Sequence, residues 1–167
     1  MAGLLTYAGL WPFAVMVSIG CAILAWEWGR LVRQTTFDTI FFIHALSTIA
    51  SCFLAASGAG WMVFLVLATG ACLAALGGSG MQQRAWSALG VLYLGLPCLL
   101  LVLFRSDQTY GVAAIFFLFL VVWSADTAAY FTGRGIGGPK LAPSISPGKT
   151  WSGFVGSRSA KHRLYYP

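Results

Sequence analysis

Apolar residues fall into five long runs that are separated by short polar stretches. An α-helix needs about 20 residues to cross the hydrocarbon core of a bilayer, and each run approaches that length. The predicted membrane spans are 10–28, 39–57, 61–76, 89–104 and 112–131. The pattern therefore predicts an all-α, polytopic integral membrane protein with about five transmembrane helices and a polar loop after the fifth.

The stretches between the runs predict how neighbouring spans are joined. The stretch 57–60 consists of small residues and predicts a tight turn, so that the second and third spans form a helical hairpin. The stretch 77–80 contains three glycines and predicts a helix break, and the polar stretch 81–88 predicts a link to the fourth span. Pro97 lies inside the fourth run and predicts a kink.

The composition excludes a soluble globular protein. Of the 167 residues, 59% are hydrophobic and 8% are charged, whereas a soluble domain carries about 25% charged residues. The four cysteines lie singly within apolar runs and show no CxxC spacing, so neither a disulfide framework nor a zinc site is expected. They are Cys21, Cys52, Cys72 and Cys98.

The basic residues predict the orientation of the spans. Ten Lys and Arg residues stand against four acids. The loops after spans one, three and five hold six basic residues, and the loops after spans two and four hold one, Arg105. Because Lys and Arg are retained in short cytoplasmic loops, the polar loop after the fifth span is predicted to be cytoplasmic. The chain lacks the basic and aromatic stripe that suits a nucleic-acid backbone, so we expect no nucleic acid as a partner.

Two polar side chains lie within the earlier runs. Glu27 either points into the helix bundle or lies at headgroup level beside Arg30, and the tryptophans on both sides of it favour headgroup level. His44 is followed on the same helix by Ser and Thr residues, which is typical of a hydrogen-bonded bundle residue rather than of a ligand. We therefore expect His44 to be structural, and the position of Glu27 stays open at this point.

Asp126 is the main candidate functional residue, because it lies near the end of the fifth apolar run. An ionised carboxylate in that setting is costly unless it is paired, hydrated or bound to a cation. Tyr130 follows one helical turn later on the same face. Oxygen ligands suit Mg²⁺, which makes Asp126 a candidate metal ligand. The alternative is an ion pair with Arg134 or Arg30.

The segment after Asp126 combines flexible glycines with hydroxyl and cationic side chains, which together suit phosphate oxygens. The hydroxyls belong to Ser144, Ser146 and Thr150, and the cations to Arg134, Lys140 and Lys149. The match to GxGxxG at 133–138 follows a membrane helix rather than a strand, so it predicts no dinucleotide fold. The alternative is a loop whose basic residues only fix the topology and contact anionic lipid.

Two stretches in this region carry a family resemblance. They are SADTAAYFTGR at 124–134 and KLAPSISPGKTW at 140–151. In their order and spacing they resemble bacterial phosphatidate cytidylyltransferase, also called CDP-diacylglycerol synthase. The AWEWGRL stretch at the end of the first span is loosely similar to the family as well.

The resemblance implies a multi-pass nucleotidyltransferase of the bacterial inner membrane that acts in phospholipid biosynthesis. It would convert phosphatidic acid and CTP into CDP-diacylglycerol and pyrophosphate, with Mg²⁺ as cofactor, membrane lipid around it and a homodimer as its assembly. The implied catalytic residues are Asp126 and Lys149, with Asp126 also the metal candidate. The implied substrate-binding residues are Arg134, Lys140, Ser146, Pro147, Gly148 and Thr150, of which Pro147 and Gly148 would shape a turn that presents Lys149.

The chain also departs from the family pattern. The family is usually longer, and its acidic C-terminal signature does not occur here. We therefore expect a membrane domain at 1–156 and a basic tail at 157–167 that is foreign to the family or disordered, through a truncation or a change of reading frame. The alternative function is that of a non-catalytic membrane fragment, or of a subunit that packs against helices or binds lipid.

Overall fold

The computed structural model describes residues 2–142 and 146–165. The chain divides into two compact units, Met1–Ile115 and Phe116–Pro167, and each is described by itself. The candidate residue Ser144 and its two neighbours, 143 and 145, lie outside the described part of the chain.

The first unit is a bundle of helices. Its helices are α1 (Ala2–Ala8), α2 (Leu10–Arg33), α3 (Thr39–Ala56), α4 (Gly60–Leu76) and α5 (Met81–Ser106), and α6 (Gly111–Gly135) begins at its end. Helices α2, α3 and α5 pack against one another, and α4 packs against α3 and α5. The helical architecture that the sequence predicts is thus confirmed for this unit.

All five predicted spans are helical, but their lengths differ. Among the described residues, α2, α3, α5 and α6 are long and apolar enough to cross a membrane. Helix α4 is apolar but has 17 residues, fewer than the about 20 that a straight crossing needs. The structure therefore supports four membrane-spanning helices and one shorter apolar helix.

Three boundaries differ from the prediction. The stretch 81–88 is not a link but the first two turns of α5, because its polar residues are good helix formers that need no apolar face outside the bilayer. Helix α6 continues through Gly135, beyond the predicted end at 131. The short helix α1 was not predicted, since seven residues carry too few turns to show a helical period.

In the first unit, helix α5 approaches its neighbours closely at Gly90. A Cβ atom at this position would meet the indole of Trp28 and would lie 2.9 Å from His44 Nε2. His44 is fully buried, and its Nε2 donates to the carbonyl oxygen of Ser87 at 2.7 Å. The structure therefore confirms that His44 is a hydrogen-bonded residue of the bundle.

Glu27 does not point into the helix bundle of this unit. Its side chain is exposed rather than buried in the bundle. The neighbouring Arg30 places its guanidinium 4.9 Å from the centre of the Trp26 ring. This arrangement fits the interpretation in which Glu27 lies at headgroup level.

An ion pair joins α2 to α3. Arg33, whose side chain is almost fully buried, donates from Nε and Nη2 to the carboxylate of Asp38 at 2.6 and 2.9 Å. Asp38 also caps α3 by accepting from the backbone N–H of Phe41 at 2.7 Å, and it accepts from the hydroxyl of Thr35 at 3.0 Å. Burial alone would raise the pKa of this carboxyl, but the hydrogen bonds outweigh burial and lower the pKa from 3.8 to about 2.

This arrangement predicts an acid-sensitive connection between α2 and α3. Asp38→Asn should lower the free energy of unfolding by about 1–3 kcal/mol at pH 6, because the Arg33 charge is left without its partner. Since the folded pKa is lower than the unfolded one, the carboxylate stabilises the fold above pH 3.8, and this contribution disappears as the pH falls to about 2. Thermal unfolding of the detergent-solubilised protein, followed by circular dichroism between pH 6 and pH 2, measures both effects.

The control is Asp107→Asn, which removes a carboxylate that accepts from the backbone N–H groups of Thr109 and Tyr110 in the turn before α6. Because no described residue forms an ion pair with Asp107, this substitution should cost less than Asp38→Asn. Equal melting temperatures for the wild type and Asp38→Asn at pH 6 would contradict the prediction.

Candidate functional site

The polar segment after α6 folds as a β-hairpin followed by a helix, where the sequence predicted a loop. The strands β1 (Lys140–Ala142) and β2 (Ser146–Thr150) pair antiparallel, and α7 (Trp151–Tyr165) follows. The backbone of 157–165, the greater part of the predicted tail, is helical within α7. The predicted domain boundary at 156 stays a prediction.

The pairing of the two strands is irregular at the predicted turn. Lys140 pairs with Thr150 and Ala142 pairs with Ser146, so the stretch 147–149 lies opposite Leu141 alone. Proline has no backbone N–H to donate, which suits such a bulge. Pro147 and Gly148 therefore lie in β2 and not in a turn, and the bulge sets the direction of Lys149.

Thr150 ends the hairpin and caps α7. Its hydroxyl oxygen accepts from the backbone N–H of Gly153 at 3.3 Å, and the side chain is nearly buried. The Ser152 hydroxyl donates to the Gly137 carbonyl at 2.6 Å, so the Thr150 hydroxyl must donate in its 3.1 Å contact with Ser152. Both hydrogen-bonding roles of Thr150 are thus used within the protein, and its predicted contact with substrate stays a prediction.

Helix α7 lies against α6 through glycines. A Cβ atom at Gly153 would lie 2.8 Å from the carbonyl oxygen of Ala129 and 3.4 Å from the Cα of Gly133. One at Gly156 would overlap the side chain of Thr132. Because no side chain separates the two backbones at Gly153, the end of β2 is held beside the last turns of α6.

A cleft of about 760 Å³ opens between α6, the hairpin and the start of α7. Six of the predicted site residues line it: Asp126, Arg134, Lys140, Gly148, Lys149 and Thr150. Ser146 is half-buried in β2 and Pro147 is exposed, and neither lines the cleft. The structure therefore brings together most of the predicted site.

The wall formed by α6 carries three polar side chains at successive turns. Asp126, Tyr130 and Arg134 are spaced four residues apart and line the cleft together. Arg134 Nη1 donates to the Tyr130 hydroxyl oxygen at 2.8 Å, and the guanidinium lies 5.9 Å from the centre of the tyrosine ring. The sequence placed Tyr130 on this face but assigned it no role, although the four-residue spacing was visible.

The carboxylate of Asp126 is exposed to the cleft and has no hydrogen bond or ion pair with any described residue. In the described part of the chain, the one salt bridge joins Arg33 to Asp38. The ion pair of Asp126 with Arg134 is thus not observed, since Arg134 bonds Tyr130. A free carboxylate in this position is available to a ligand.

The charges around the cleft favour an anionic ligand. Arg134, Lys140 and Lys149 face it with one acid, Asp126, and both lysines are exposed. Clusters of three or more His, Cys, Asp or Glu side chains that could hold a metal do not occur among the described residues. A cation here would depend on Asp126 and on oxygens that the ligand itself brings.

Comparison with known proteins shows which family the chain is similar to. The family model described as "Cytidylyltransferase family" matches residues 1–161. A phosphatidate cytidylyltransferase of Brucella suis is 42% identical over 159 residues, which are 93% of this chain and 58% of that protein. The corresponding protein of Pseudomonas aeruginosa is 31% identical over 156 residues, which are 86% of this chain and 56% of that protein.

A third relative matches over a shorter stretch. The phosphatidate cytidylyltransferase of Haemophilus influenzae is 42% identical over 72 residues, which are 43% of this chain and 25% of that protein. No solved structure matches the chain. The chain thus spans a little over half the length of the Brucella suis and Pseudomonas aeruginosa relatives.

The family model covers nearly the whole chain, including α6, the hairpin and the first turns of α7 that enclose the cleft. It therefore includes every described residue that lines the cleft. The chain belongs to the cytidylyltransferase family.

Proposed function

We propose that this protein is a CTP:phosphatidate cytidylyltransferase, a nucleotidyltransferase that makes CDP-diacylglycerol and pyrophosphate from CTP and phosphatidic acid. The observation that carries the proposal is the cleft lined by Arg134, Lys140 and Lys149 together with the free carboxylate of Asp126. The names of the relatives in Brucella suis and Haemophilus influenzae supply the reaction. This function is favoured over that of a non-catalytic subunit, because a helix-packing role needs no such cleft.

In the proposed reaction, a phosphate oxygen of phosphatidic acid attacks the α-phosphorus of CTP. The bond from this phosphorus to the bridging oxygen of the β-phosphate breaks, and pyrophosphate leaves with the electron pair. Negative charge grows on the leaving group, where Lys149 and Lys140 would stabilise it. Arg134 would bind phosphate oxygens with its fixed fork of N–H donors.

We assign Mg²⁺ to this site as the cofactor. The free carboxylate of Asp126 fits one position of the coordination shell, and substrate phosphate oxygens would fill others. When bound, the ion would neutralise phosphate charge in the transition state. Asp126 itself would orient the phosphates relative to the lysines of the hairpin.

The proposal includes a location and an assembly. Helices long enough to cross a membrane, together with basic residues in the loops after spans one, three and five, support an inner-membrane protein whose cleft faces the cytoplasm. CTP would then reach the cleft from water and phosphatidic acid from the bilayer. We further propose a homodimer, which sedimentation in detergent would test.

Removing the charge of Asp126 should abolish most of the activity. Asp126→Asn is expected to lower kcat by about 10²-fold or more, because it removes the carboxylate that would hold the Mg²⁺ ion beside the phosphates. Formation of CDP-diacylglycerol from CTP and phosphatidic acid, in detergent with Mg²⁺, measures the effect. Glu27→Gln is the control, since Glu27 is an exposed carboxylate outside the cleft, and it should keep wild-type activity. Undiminished turnover by Asp126→Asn would refute the role of this residue.

Lys149 should contribute to binding and to catalysis of the same reaction. Lys149→Met is expected to raise KM for CTP about tenfold and to lower kcat as well, because a charged hydrogen bond to phosphate is worth about 1.5–3 kcal/mol. The matched control is Arg158→Met, which removes an exposed cation of α7 that does not line the cleft. If both substitutions change KM equally, the effect comes from net charge and not from the site.

A further inference from the structure

The Tyr130 hydroxyl has an unused hydrogen-bond donor. Arg134 Nη1 approaches the hydroxyl oxygen at 2.8 Å, and a guanidinium can only donate, so the tyrosine oxygen accepts. The phenolic proton must therefore point elsewhere, and no described residue accepts it. The side chain is 58% exposed and lines the cleft, so the proton is available to a ligand there.

The arginine prepares this donor in two ways. A hydrogen bond from a cation polarises the hydroxyl and strengthens its own donation. The four-residue spacing on α6 and the position of the guanidinium 5.9 Å from the ring centre also hold the two groups in one arrangement. The ring of Phe131 contacts the tyrosine ring edge to face, with centroids 5.6 Å apart. The hydroxyl is thus oriented before a ligand arrives.

The ligand that fits this donor is a phosphate group. Arg134 uses one of its five N–H groups on Tyr130 and keeps others, so the pair offers neighbouring donors, one of which is charged. The lysines of the hairpin add positive charge to the same cleft. A phosphate with several acceptor oxygens can use both walls at once.

We propose that Tyr130 is a phosphate-binding residue, whose hydroxyl accepts from Arg134 and donates its proton to a phosphate oxygen of the substrate. The inference rests on the proposed function, which offers two sources of that oxygen, the triphosphate of CTP and the headgroup of phosphatidic acid.

Binding measurements test the proposal without requiring turnover. Isothermal titration calorimetry of the detergent-solubilised protein with sodium tripolyphosphate represents the nucleotide, and titration with phosphatidic acid in mixed micelles represents the lipid. Tyr130→Phe keeps the ring and loses the hydroxyl, so it should weaken binding in at least one arm by about tenfold. Tyr110→Phe removes the hydroxyl of an exposed tyrosine outside the cleft and should leave both affinities unchanged.

The arm in which binding weakens identifies the source of the phosphate. In a chain that already carries Arg134→Met, Tyr130→Phe should weaken binding by less than about threefold, because the polarising bond is gone. If Tyr130→Phe weakens binding equally in the presence and in the absence of Arg134, the proposed coupling between the two side chains is wrong. Unchanged affinity of Tyr130→Phe in both arms, or no binding by the wild type, would overturn the assignment itself.

The outcome can be separated from that of the proposed function. Tyrosine-dependent binding with no formation of CDP-diacylglycerol would leave the inference standing and reject the function. Product formation with no effect of Tyr130→Phe on binding would do the reverse.

Discussion

The cleft depends on the direct contact of two helix backbones. Gly153 on α7 lies against the backbone of Ala129 and Gly133 on α6, and Gly156 lies against the side chain of Thr132. Any larger residue at Gly153 would meet a carbonyl oxygen at 2.8 Å, which side chains do not tolerate without movement of the backbone. Because Thr150 caps α7 at this contact, the end of β2 is fixed as well, and Lys149 immediately before it is held at the cleft.

A different constraint shapes the first unit, where several buried polar side chains are hydrogen-bonded away from water, although Ser18 Oγ and Ser87 Oγ have no partner among the described residues. The buried His44 forms a hydrogen bond with the Ser87 carbonyl oxygen, and the buried Arg33 forms an ion pair with Asp38. Thr48 and Ser51 donate to carbonyl oxygens of their own helix, those of His44 and Ser47. In an apolar surrounding, a hydrogen-bond donor without an acceptor would cost several kcal/mol of folding free energy. These hydrogen bonds therefore stabilise the bundle. Asp126 in the second unit contrasts with them, since its carboxylate has no partner among the described residues.

The membrane helices could be predicted from the sequence because an apolar run of about 20 residues matches the thickness of a bilayer and is too long for an ordinary core helix. Asp126 stood out for the same reason, as a charge within such a run. The start of α5 was missed because helical turns outside the bilayer carry no apolar period. The hairpin was missed because β1 has only three residues and β2 contains a proline and a bulge. Neither strand therefore shows the alternation of apolar and polar residues that indicates a strand. Nothing in the sequence distinguished the glycines at 153 and 156, and only the structure shows that they allow close packing.

The most direct test of the proposed reaction follows the phosphorus atoms of CTP. Purified protein, shown to be helical and monodisperse in detergent, is given phosphatidic acid, Mg²⁺ and CTP labelled at either the α- or the γ-phosphate. Attack at the α-phosphorus predicts that the α label enters the lipid fraction, while the γ label leaves as pyrophosphate. Label from the γ position in the lipid, or no label in the lipid from either position, would contradict the proposed reaction.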